Sequence, residues 1–581
     1  MREFRSYGLL DDSPRFVEDK QWFGVDMRSQ PWQVQPGLCC AAVNQRFTNG
    51  RPEPRAGLRI LAWGARAQAG YGPGDVVPYG TVAGSGIFND PVSGQTWIII
   101  ATIGGVFRTQ PGTTGSKMAF PAGEVIPSKV QIIQTFNGLV MLRGRGLDPL
   151  YCDNLDEGWR VPPAVSIPGK MRIPPSSFGV YFQNRLFLIY EGGDSAVRDS
   201  IWVSDFGLTI DALQGSVAYN GFRINQGSRD SLLALFPFGE TSLLAFKGES
   251  VYLVSGIAGT NEDIALNARL DVVTTEYGIA APRSIVQVGA DVWFLAANRG
   301  LVSIRQTQLN KLQGVDVPVS LDIDPLIRQI AWGSASGAAA AFWDNRVYFA
   351  VPTGASAVNN RVLVFDSRTG KWAGYDEADA IKVREWVRFQ LAGRGRLAFV
   401  STDGYLVLYE DGGFDQVGLP LGKVGFAEIR TRLLTRGFAV DPGSRNTFTE
   451  LRLNLSTWAP RYTLSVWVDG VEEGSTVARD QTVDPTRYDR PHGRAPWDAS
   501  NAADDWAEPY RQDYALSAPV GGMVCGSGVA AEVYQQSQRA FRLRERGSFV
   551  QLEVVGSAGR TIVDSVRVVC DSGSSRAARQ L

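Results

Sequence analysis

Short apolar runs, each interrupted by a turn dipeptide, recur along the first four hundred residues of this 581-residue chain. Residues 130–142 turn at Asn137-Gly138, and residues 338–351 turn at Asp344-Asn345. Runs of β-branched and aromatic residues on both sides of such a turn are typical of β-hairpins. The pattern predicts further hairpins over residues 179–190, 232–247, 284–305 and 386–400, and a weaker one around Gly94.

The hairpins recur with a long period. Their turns are centred near positions 94, 138, 184, 239, 289, 345 and 394, so neighbouring turns lie 44 to 56 residues apart. A four-stranded blade of a β-propeller takes roughly 40 to 50 residues, whereas a β-sandwich has strands every 8 to 12 residues or so without a longer period. The sequence therefore predicts an all-β chain in which residues 58–415 form a β-propeller of six or seven blades. Ring closure would protect the sheet edges.

The pattern changes after the propeller region. Residues 451–455 and 462–468 alternate apolar and polar positions, which is typical of a half-buried antiparallel sheet. Residues 548–555 and 561–569, on either side of Ser557-Ala558-Gly559, predict another hairpin. We expect a C-terminal β-sandwich over residues 426–570, with an irregular insertion at 473–522 and a flexible tail at 571–581. Residues 1–57 are predicted to be an extended N-terminal segment that contributes to ring closure.

Helical signals are sparse. The best candidate is residues 321–331, with Ser320 as a possible N-cap and Pro325 inside the segment.

Charge and composition exclude several classes of protein. Hydrophobic residues make up 44% of the chain, so it can bury a core and is not intrinsically disordered. Lys plus Arg number 58 and Asp plus Glu 59, which leaves no basic excess for general nucleic-acid binding. The apolar runs are far shorter than the ~20 residues of a membrane helix, and no signal peptide is visible at the N-terminus. We therefore expect a product of the cytosol with no membrane contact.

The available side chains argue against catalysis. The chain has one histidine, His492, in a Pro/Gly loop, and no nucleophile elbow or phosphate-binding loop. The five cysteines have no zinc-site spacing, so we interpret them as small hydrophobic residues. No catalytic, cofactor or metal site is predicted. Paired carboxylates could still serve a glycosidase, and the candidate pairs are Asp153 with Asp156, Asp322 with Asp324, and Asp504 with Asp505. We expect the first two pairs to be turn and helix-start acids.

The tryptophans allow two interpretations. Trp97, Trp293 and Trp343 lie in predicted strands, where core packing is the ordinary explanation. Three others in the C-terminal region could contact carbohydrate through exposed rings, namely Trp458, Trp497 and Trp506.

The N-terminal part has a Pro-Gly, an Asn-containing stretch with a Gly, and an Arg-x-Gly before the first predicted blade. In these motifs and in later segments the chain resembles the β-propeller virion proteins of bacteriophages. It is similar to tail nozzle (tail tubular, packaged-DNA-stabilising) proteins of short-tailed phages, and it is shorter than the larger nozzles. The segments that carry the resemblance are residues 23–26, 35–37, 44–50, 55–58, 184–187, 201–205 and 451–458.

The resemblance implies a structural, non-enzymatic virion protein of the tail or neck, made in the host cytoplasm. It would form a homo-oligomeric ring, most simply a hexamer, that contacts portal, adaptor or other tail proteins and transiently touches double-stranded DNA during retention and ejection of the genome. The first 50 residues and the 473–522 insertion are the expected inter-subunit arms. The candidate contact residues are Trp22, Trp32, Trp497, Trp506, Tyr510 and Arg511.

Two other functions remain open at the level of sequence. One is a phage baseplate or receptor-binding propeller that recognises a cell-surface glycan through exposed tryptophans. The other is a propeller hydrolase that acts on glycans through a carboxylate pair.

Overall fold

The computed structural model is mostly β-structure, which confirms the all-β prediction. It contains three short α-helices within its described residues. The described residues are 15–61, 78–110, 115–165, 167–191, 198–217, 221–225, 230–313, 317–391, 393–418, 424–439, 446–469, 481–483, 522–525, 528–531 and 535–571.

Six short strands open the described chain. They are β1 (Arg15–Asp19), β2 (Gly24–Val25), β3 (Leu38–Val43), β4 (Gln45–Thr48), β5 (Arg51–Pro54) and β6 (Leu58–Leu61). Strands β4 and β5 form a hairpin, and β2 pairs in parallel with β3. The other N-terminal strands pair with partners from the far end of the sequence, so this segment lies among later parts of the chain.

Seven antiparallel strand groups then follow along the described chain. Group 1 has β7 (Val82–Asn89), β8 (Thr96–Thr102), β9 (Gly105–Thr109) and β10 (Ser116–Lys117); group 2 has β11 (Gln131–Gln134), β12 (Leu139–Leu142) and β13 (Leu150–Cys152). Next come β14 (Lys170–Met171), which pairs with β18 (Gly215–Ser216), and group 3 with β15 (Gly179–Phe182), β16 (Arg185–Ile189), β17 (Ser200–Val203) and β19 (Gly221–Arg223).

The remaining groups contain the helices. Group 4 has β20 (Leu232–Phe238), β21 (Ser242–Lys247), β22 (Val251–Ser255), helix α1 (Asn261–Asn267) and β23 (Arg269–Thr274); group 5 has β24 (Val286–Val288), β25 (Asp291–Ala296) and β26 (Gly300–Ser303), followed by α2 (Ile304–Gln313) and α3 (Asp324–Ile327). Group 6 has β27 (Ala339–Trp343), β28 (Arg346–Val351), β29 (Arg361–Asp366) and β30 (Lys371–Glu377); group 7 has β31 (Val383–Leu391), β32 (Arg394–Ser401) and β33 (Leu406–Tyr409).

The predicted hairpins are confirmed, because one antiparallel pair is present at each of the seven predicted turns. The turn residues explain the pattern. Asn184 and Asn345 have φ values of 55° and 58°, and Gly239 has 67°. These left-handed conformations suit Gly and Asn, which is why turn dipeptides mark the hairpins in the sequence.

Neighbouring groups pack through their first strands. Strand β7 contacts β11, β11 contacts β15, β15 contacts β20, β24 contacts β27, and β27 contacts β31. Groups 4 and 5 share a core cluster in which the rings of Phe246 and Phe294 lie 5.0 Å apart. Strand β31 also contacts β7, so group 7 lies against group 1.

Nine strands follow in the C-terminal part of the described chain. They are β34 (Asp415–Gly418), β35 (Val424–Ala427), β36 (Thr431–Thr435), β37 (Asn446–Val468), β38 (Gln481–Val483), β39 (Gly522–Cys525), β40 (Gly528–Ala531), β41 (Gln535–Gly547) and β42 (Val550–Asp571). Strands β36, β37, β38, β41 and β42 extend the sheet of group 6, where the order β30-β3-β36-β42-β37 makes the N-terminal strand β3 the link between the two regions. Strands β34 and β35 instead continue the sheet of group 7 beyond β6, and β39 pairs with β40 in a sheet of two strands. Buried side chains alternate in two parts of β37, residues 451–455 and 462–468, which confirms the predicted half-buried antiparallel pattern there.

Two local predictions were wrong. Residues 548–555 and 561–569 do not pair with each other, because both lie along β42 and its N-terminal approach, and β42 pairs with β37 from Thr447↔Asp571 to Val468↔Val550. Register shifts along this pair accommodate the residues that resembled a turn. The predicted helix at 321–331 is a 3₁₀ turn, Leu321–Ile323, followed by the four-residue α3 with Pro325 in its first turn.

The predicted domain boundaries at residues 57 and 426 stay predictions. Most of the predicted insertion, residues 473–480 and 484–521, and the tail after residue 571 lie outside the described residues.

Candidate functional site: a buried charge clasp

A network of buried charged side chains fixes the N-terminal hairpin β4–β5 against groups 6 and 7. Two arginines from the N-terminal segment meet carboxylates that lie more than 300 positions later in the sequence. We call this network the clasp. Its members are Asn44, Arg46, Arg55, Tyr348, Asp376, Tyr409, Glu410 and Asp415.

Arg46 joins the hairpin to both groups. Its Nη1 and Nη2 atoms donate to Oδ1 and Oδ2 of Asp376 at 2.9 and 2.6 Å, a bidentate pair with strand β30. Its Nε atom donates to Glu410 Oε1 at 2.6 Å, and the Tyr348 hydroxyl donates to the same oxygen at 3.1 Å. One guanidinium therefore holds a carboxylate on group 6 and another directly after β33 of group 7.

Arg55 makes a second bidentate pair. Its Nη1 and Nη2 atoms donate to Oδ1 and Oδ2 of Asp415 at 2.8 and 2.6 Å, and its Nε atom lies 3.9 Å from Asp376 Oδ1. The Arg55 side chain is 0% exposed. Because Asp376 faces both arginines, the two bidentate pairs form one connected network.

Asn44 satisfies the backbone beside the arginines. Its amide nitrogen donates to the carbonyls of Glu377 and Arg430, and its Oδ1 accepts from Arg55 Nε at 2.9 Å and from the Glu377 amide at 3.0 Å. Its φ of 54° lies in the left-handed region, where Asn is one of the few residues tolerated. The side chain therefore bridges three segments that meet at this position.

Gly57 lets the chain leave the clasp. A Cβ atom at this position would overlap the carbonyl oxygen of Phe414. The Gly57 amide donates to the carbonyl of Gly412 at 2.7 Å, and its carbonyl accepts from the Asp411 amide at 2.8 Å. This close approach leads directly into β6, which pairs antiparallel with β33 and becomes the fourth strand of group 7.

Opposite charges outweigh desolvation within the clasp. Burial by itself raises the pKa of Asp376, but Arg46 and Arg55 lower it below its ordinary value. Burial likewise lowers the pKa of Arg46, and Asp376 and Glu410 raise it to a net increase. Burial and then the neighbouring Asp376 raise the pKa of Tyr409, whose hydroxyl donates to that carboxylate. These groups keep their charge states near neutral pH, so the clasp is suited to holding segments together and poorly suited to proton transfer.

Of the predicted inter-subunit contacts, only two lie in described residues. Trp22 is 0% exposed and belongs to the core that joins the N-terminal strands, group 6 and the C-terminal sheet. Trp32 is 42% exposed, and its ring lies 5.2 Å from that of Phe549. The other predicted contacts lie outside the described residues: Trp497, Trp506, Tyr510 and Arg511.

The described carboxylate pairs are engaged in ion pairs. Asp153 accepts a hydrogen bond from Arg160 that lowers the pKa of this carboxyl, and Asp156 pairs with Arg108 at 2.6 Å. Asp322 and Asp324 pair with Lys371 and Arg328 at 3.6 and 2.6 Å. The third pair, Asp504 with Asp505, and the lone His492 lie outside the described residues.

The strand tryptophans and the cysteines fit the packing interpretation. Trp293 is buried, and Trp97 and Trp343 are partly buried against core clusters. Burial raises the pKa of Cys39, and it raises those of Cys40 and Cys152 to about 12, so these thiols are protonated near neutral pH. In the described part of the chain, no three His, Cys, Asp or Glu side chains converge as metal ligands would.

None of the helices in the described ranges has the length and apolar character needed to cross a bilayer.

Comparisons with known proteins identify no family. No family model matches the chain, and no curated protein matches it. Among solved structures, an exo-β-1,3-galactanase from Phanerochaete chrysosporium with bound β-1,3-galactotriose is 10% identical, covers 88% of this chain and 100% of its own, and has a TM-score of 0.24. The AfRom2 CNH domain is 6% identical, covers 60% of this chain and 98% of its own, and has a TM-score of 0.32. Likenesses this low carry no argument about fold or activity.

Proposed function

We propose that the seven strand groups close into a seven-bladed β-propeller, with β6 as the last strand of its seventh blade. Two observations support closure. Strand β6 comes from the N-terminal side and is the fourth strand of the sheet that β31, β32 and β33 begin and that β34 and β35 continue. Glu385 on β31 accepts from the amide and hydroxyl of Ser85 on β7 at 2.8 and 3.0 Å, which joins group 7 to group 1.

We further propose that the C-terminal strands form the second layer of a β-sandwich over residues 426–570. The alternation of buried and partly exposed residues along β37 supports this, because a half-buried sheet needs an apolar partner on one face.

The proposed role of the chain is structural: a nozzle-like phage tail or neck protein that forms a homo-oligomeric ring, through which the genome is retained and then ejected. The clasp is the observation that carries this proposal. It places deeply buried charges, with Asp376 at 0% and Arg55 at 1% exposure, where they tie the N-terminal segment, group 6 and group 7 together. A component that has to keep its shape while DNA passes benefits from such a closure.

The first 50 residues also offer a surface for neighbouring subunits. Phe16, Phe23 and Trp32 are 59%, 42% and 42% exposed, although all three belong to a segment that is otherwise tied into the sheet. Exposed aromatic residues on a rigid support are typical of interface anchors. The near-neutral chain fits transient contact with DNA, since a conduit that has to release DNA cannot bind it strongly through net positive charge.

Negative-stain microscopy and mass photometry of the purified full chain test this function. A closed ring with six subunits supports the proposal, and a compact monomer at micromolar concentration contradicts it. We expect Trp32→Ser to reduce the ring fraction by tenfold or so, because it removes an exposed anchor. Phe136→Ser is the matched control, since Phe136 is also an exposed aromatic residue but lies in a turn of group 2. Equal behaviour of the two variants would assign the interface elsewhere.

The insertion provides a second test. Deletion of residues 473–522 should abolish the ring if this segment is an inter-subunit arm. An unchanged ring mass would contradict that assignment, while circular dichroism would show whether the shortened chain remains folded.

A further inference from the structure

A second cluster of charges lies where groups 1, 2, 5 and 7 meet, away from the clasp. Its members are Lys129, just before β11, Arg283, just before β24, and Arg384 and Glu385 on β31. We call it the cation cluster. Unlike the clasp, it contains three positive side chains and one carboxylate.

Arg283 crosses from group 5 to group 2. Its Nη2 atom donates to the carbonyl of Val130 at 2.9 Å, and its Nε atom lies 3.4 Å from Glu385 Oε1. Glu385 uses its other oxygen, Oε2, to accept from Ser85 on β7. The single carboxylate of the cluster is therefore already engaged by Arg283 on one oxygen and by Ser85 on the other.

Arg384 reaches the same segment from group 7. Its Nη2 atom donates to the carbonyls of Ala83 and Ser128 at 3.1 and 3.2 Å. Its Nε atom is buried and has no hydrogen-bond partner. In the sequence, Lys129 lies between Ser128 and Val130. Because the carbonyls of these two neighbours accept from Arg384 and Arg283, the backbone of Lys129 is next to both guanidinium groups.

The positive charges are not balanced. Burial and then repulsion from Arg283 lower the pKa of Arg384 to about 10. Burial and then repulsion from Arg384 and Arg283 also lower the pKa of Lys129. Like charges at close range repel, and at the partly buried Arg384 water screens this repulsion less than at the surface, so a bound counter-ion would be favourable here.

We propose that the cation cluster is a binding site for a phosphate group, held by Lys129, Arg283 and Arg384. Guanidinium groups present N–H donors in a planar fork that matches the oxygens of phosphate, and an ammonium adds a point charge. Lys129 is exposed, which leaves the site open to solvent. The unpartnered Nε of Arg384 shows that acceptors of the chain itself do not satisfy every donor of this guanidinium.

The same chemistry has two possible sources, a free phosphate ion and a phosphodiester of nucleic acid. The inference does not depend on ring assembly, because the contacts that define the cluster lie within one chain. Failure of the phosphate site would therefore leave the structural proposal untouched, and failure of ring formation would leave the phosphate site untouched.

The test measures binding to the full-length protein with two probes. Thermal unfolding and titration calorimetry follow inorganic phosphate, with sodium chloride at equal ionic strength as the blank. Fluorescence anisotropy follows a short labelled DNA duplex. We expect saturable stabilisation by phosphate, which mass action produces when a ligand binds the folded state. Lys129→Gln and Arg384→Gln should each weaken binding by tenfold or more, as expected for loss of a charge-assisted contact.

Lys117→Gln is the matched control, since Lys117 is an exposed lysine on the edge strand β10 of group 1. Phosphate binding that Lys129→Gln weakens and Lys117→Gln leaves intact supports the site with free phosphate as the ligand. Binding of the DNA duplex alone, with the same dependence on Lys129, supports it with a phosphodiester as the ligand. Absence of binding by both probes, or equal loss in the Lys129 and Lys117 variants, overturns the proposal.

Discussion

The clasp and the cation cluster both join parts of the chain that are distant in sequence, but they differ in charge balance. In the clasp, Asp376 and Asp415 face Arg46 and Arg55 in bidentate pairs, and Glu410 completes the network. In the cation cluster, Arg283 and Arg384 bond mainly to backbone carbonyls, and Lys129 adds a further charge. The balanced charges of the clasp hold chain segments together, whereas the unbalanced charges of the cation cluster indicate a binding site for an anionic ligand.

The difference in charge balance between the two regions affects stability through the cost of removing charges from water. Removing a charge from water is costly, and only a nearby opposite charge with good geometry offsets that cost. The clasp supplies this offset from its own residues. The cation cluster supplies it only in part, through Glu385. Substitutions in the two regions should therefore change the free energy of unfolding by different amounts and even in opposite directions.

The largest effect is expected from Arg55→Met. Removal of this fully buried guanidinium leaves Asp415 without its bidentate partner and Asp376 with one arginine instead of two. Breaking a buried ion pair from one side costs about 3–5 kcal/mol. Chemical unfolding should show this loss in the free energy of unfolding.

Arg59→Met is the control for that experiment. The Arg59 side chain is 41% exposed and lies 3.4 Å from Asp411, so its removal should cost about 1 kcal/mol or less. Similar losses of unfolding free energy in Arg55→Met and Arg59→Met would mean that the clasp contributes no more to stability than a surface ion pair.

A smaller effect is expected from acid. The folded-state pKa of Asp376 lies below that of the unfolded chain, so its contribution to stability is present above the unfolded pKa of ~4 and is lost as the pH falls through the folded value. Wild-type stability should fall below about pH 4. Asp376→Asn should be less stable near neutral pH and should show a flatter acid limb in urea-unfolding midpoints measured from pH 7 downward.

Asp156→Asn is the comparison for the acid experiment, because Asp156 pairs with Arg108 from a largely exposed position. Near neutral pH its free energy of unfolding should stay within about 1 kcal/mol of the wild type, as expected for loss of an exposed ion pair. An acid limb that is as steep in the Asp376 variant as in the wild type would show that other carboxylates dominate the acid response.

The smallest effect, with the opposite sign, is expected from Lys129→Met. In phosphate-free buffer this change relieves repulsion with Arg283 and Arg384, and should raise stability by roughly 0.5 kcal/mol or less, since the side chain is solvent-screened. With saturating phosphate the order should reverse, because only the wild type gains the ligand. A destabilised variant in phosphate-free buffer would show that the cluster is balanced after all.

Local features of the fold followed from the sequence, because they depend on neighbouring residues. The backbone is left-handed at the turns Gln183-Asn184 and Asp344-Asn345, and turn dipeptides of this kind can be recognised in the sequence. The long β42 strand was misinterpreted for the same reason. Its Ser557-Ala558-Gly559 segment has turn composition, and only pairing with β37 keeps it extended.

Only the N-terminal half of the clasp could be identified from the sequence. The segments that contain Asn44, Arg46, Arg55 and Gly57 stood out as a motif, but nothing in them indicates which carboxylates they meet. Asp376 and Asp415 lie 330 and 360 positions from their arginines, and neither has distinctive neighbours. The cation cluster gave no local signal, because its three basic residues and Glu385 are ordinary charged residues in three separate segments.

The hairpin strands, their turns and their period followed from the amino-acid sequence alone, because each depends on side chains a few positions apart and on the backbone angles that Gly and Asn accept. Which strands share a sheet and which charges are buried together became evident only in the folded chain. Those outcomes depend on segments that are hundreds of residues apart and meet only after the chain has folded. A charge that loses water at that stage is stabilised by a nearby opposite charge, as in the clasp, or by a bound counter-ion, as we propose for the cation cluster.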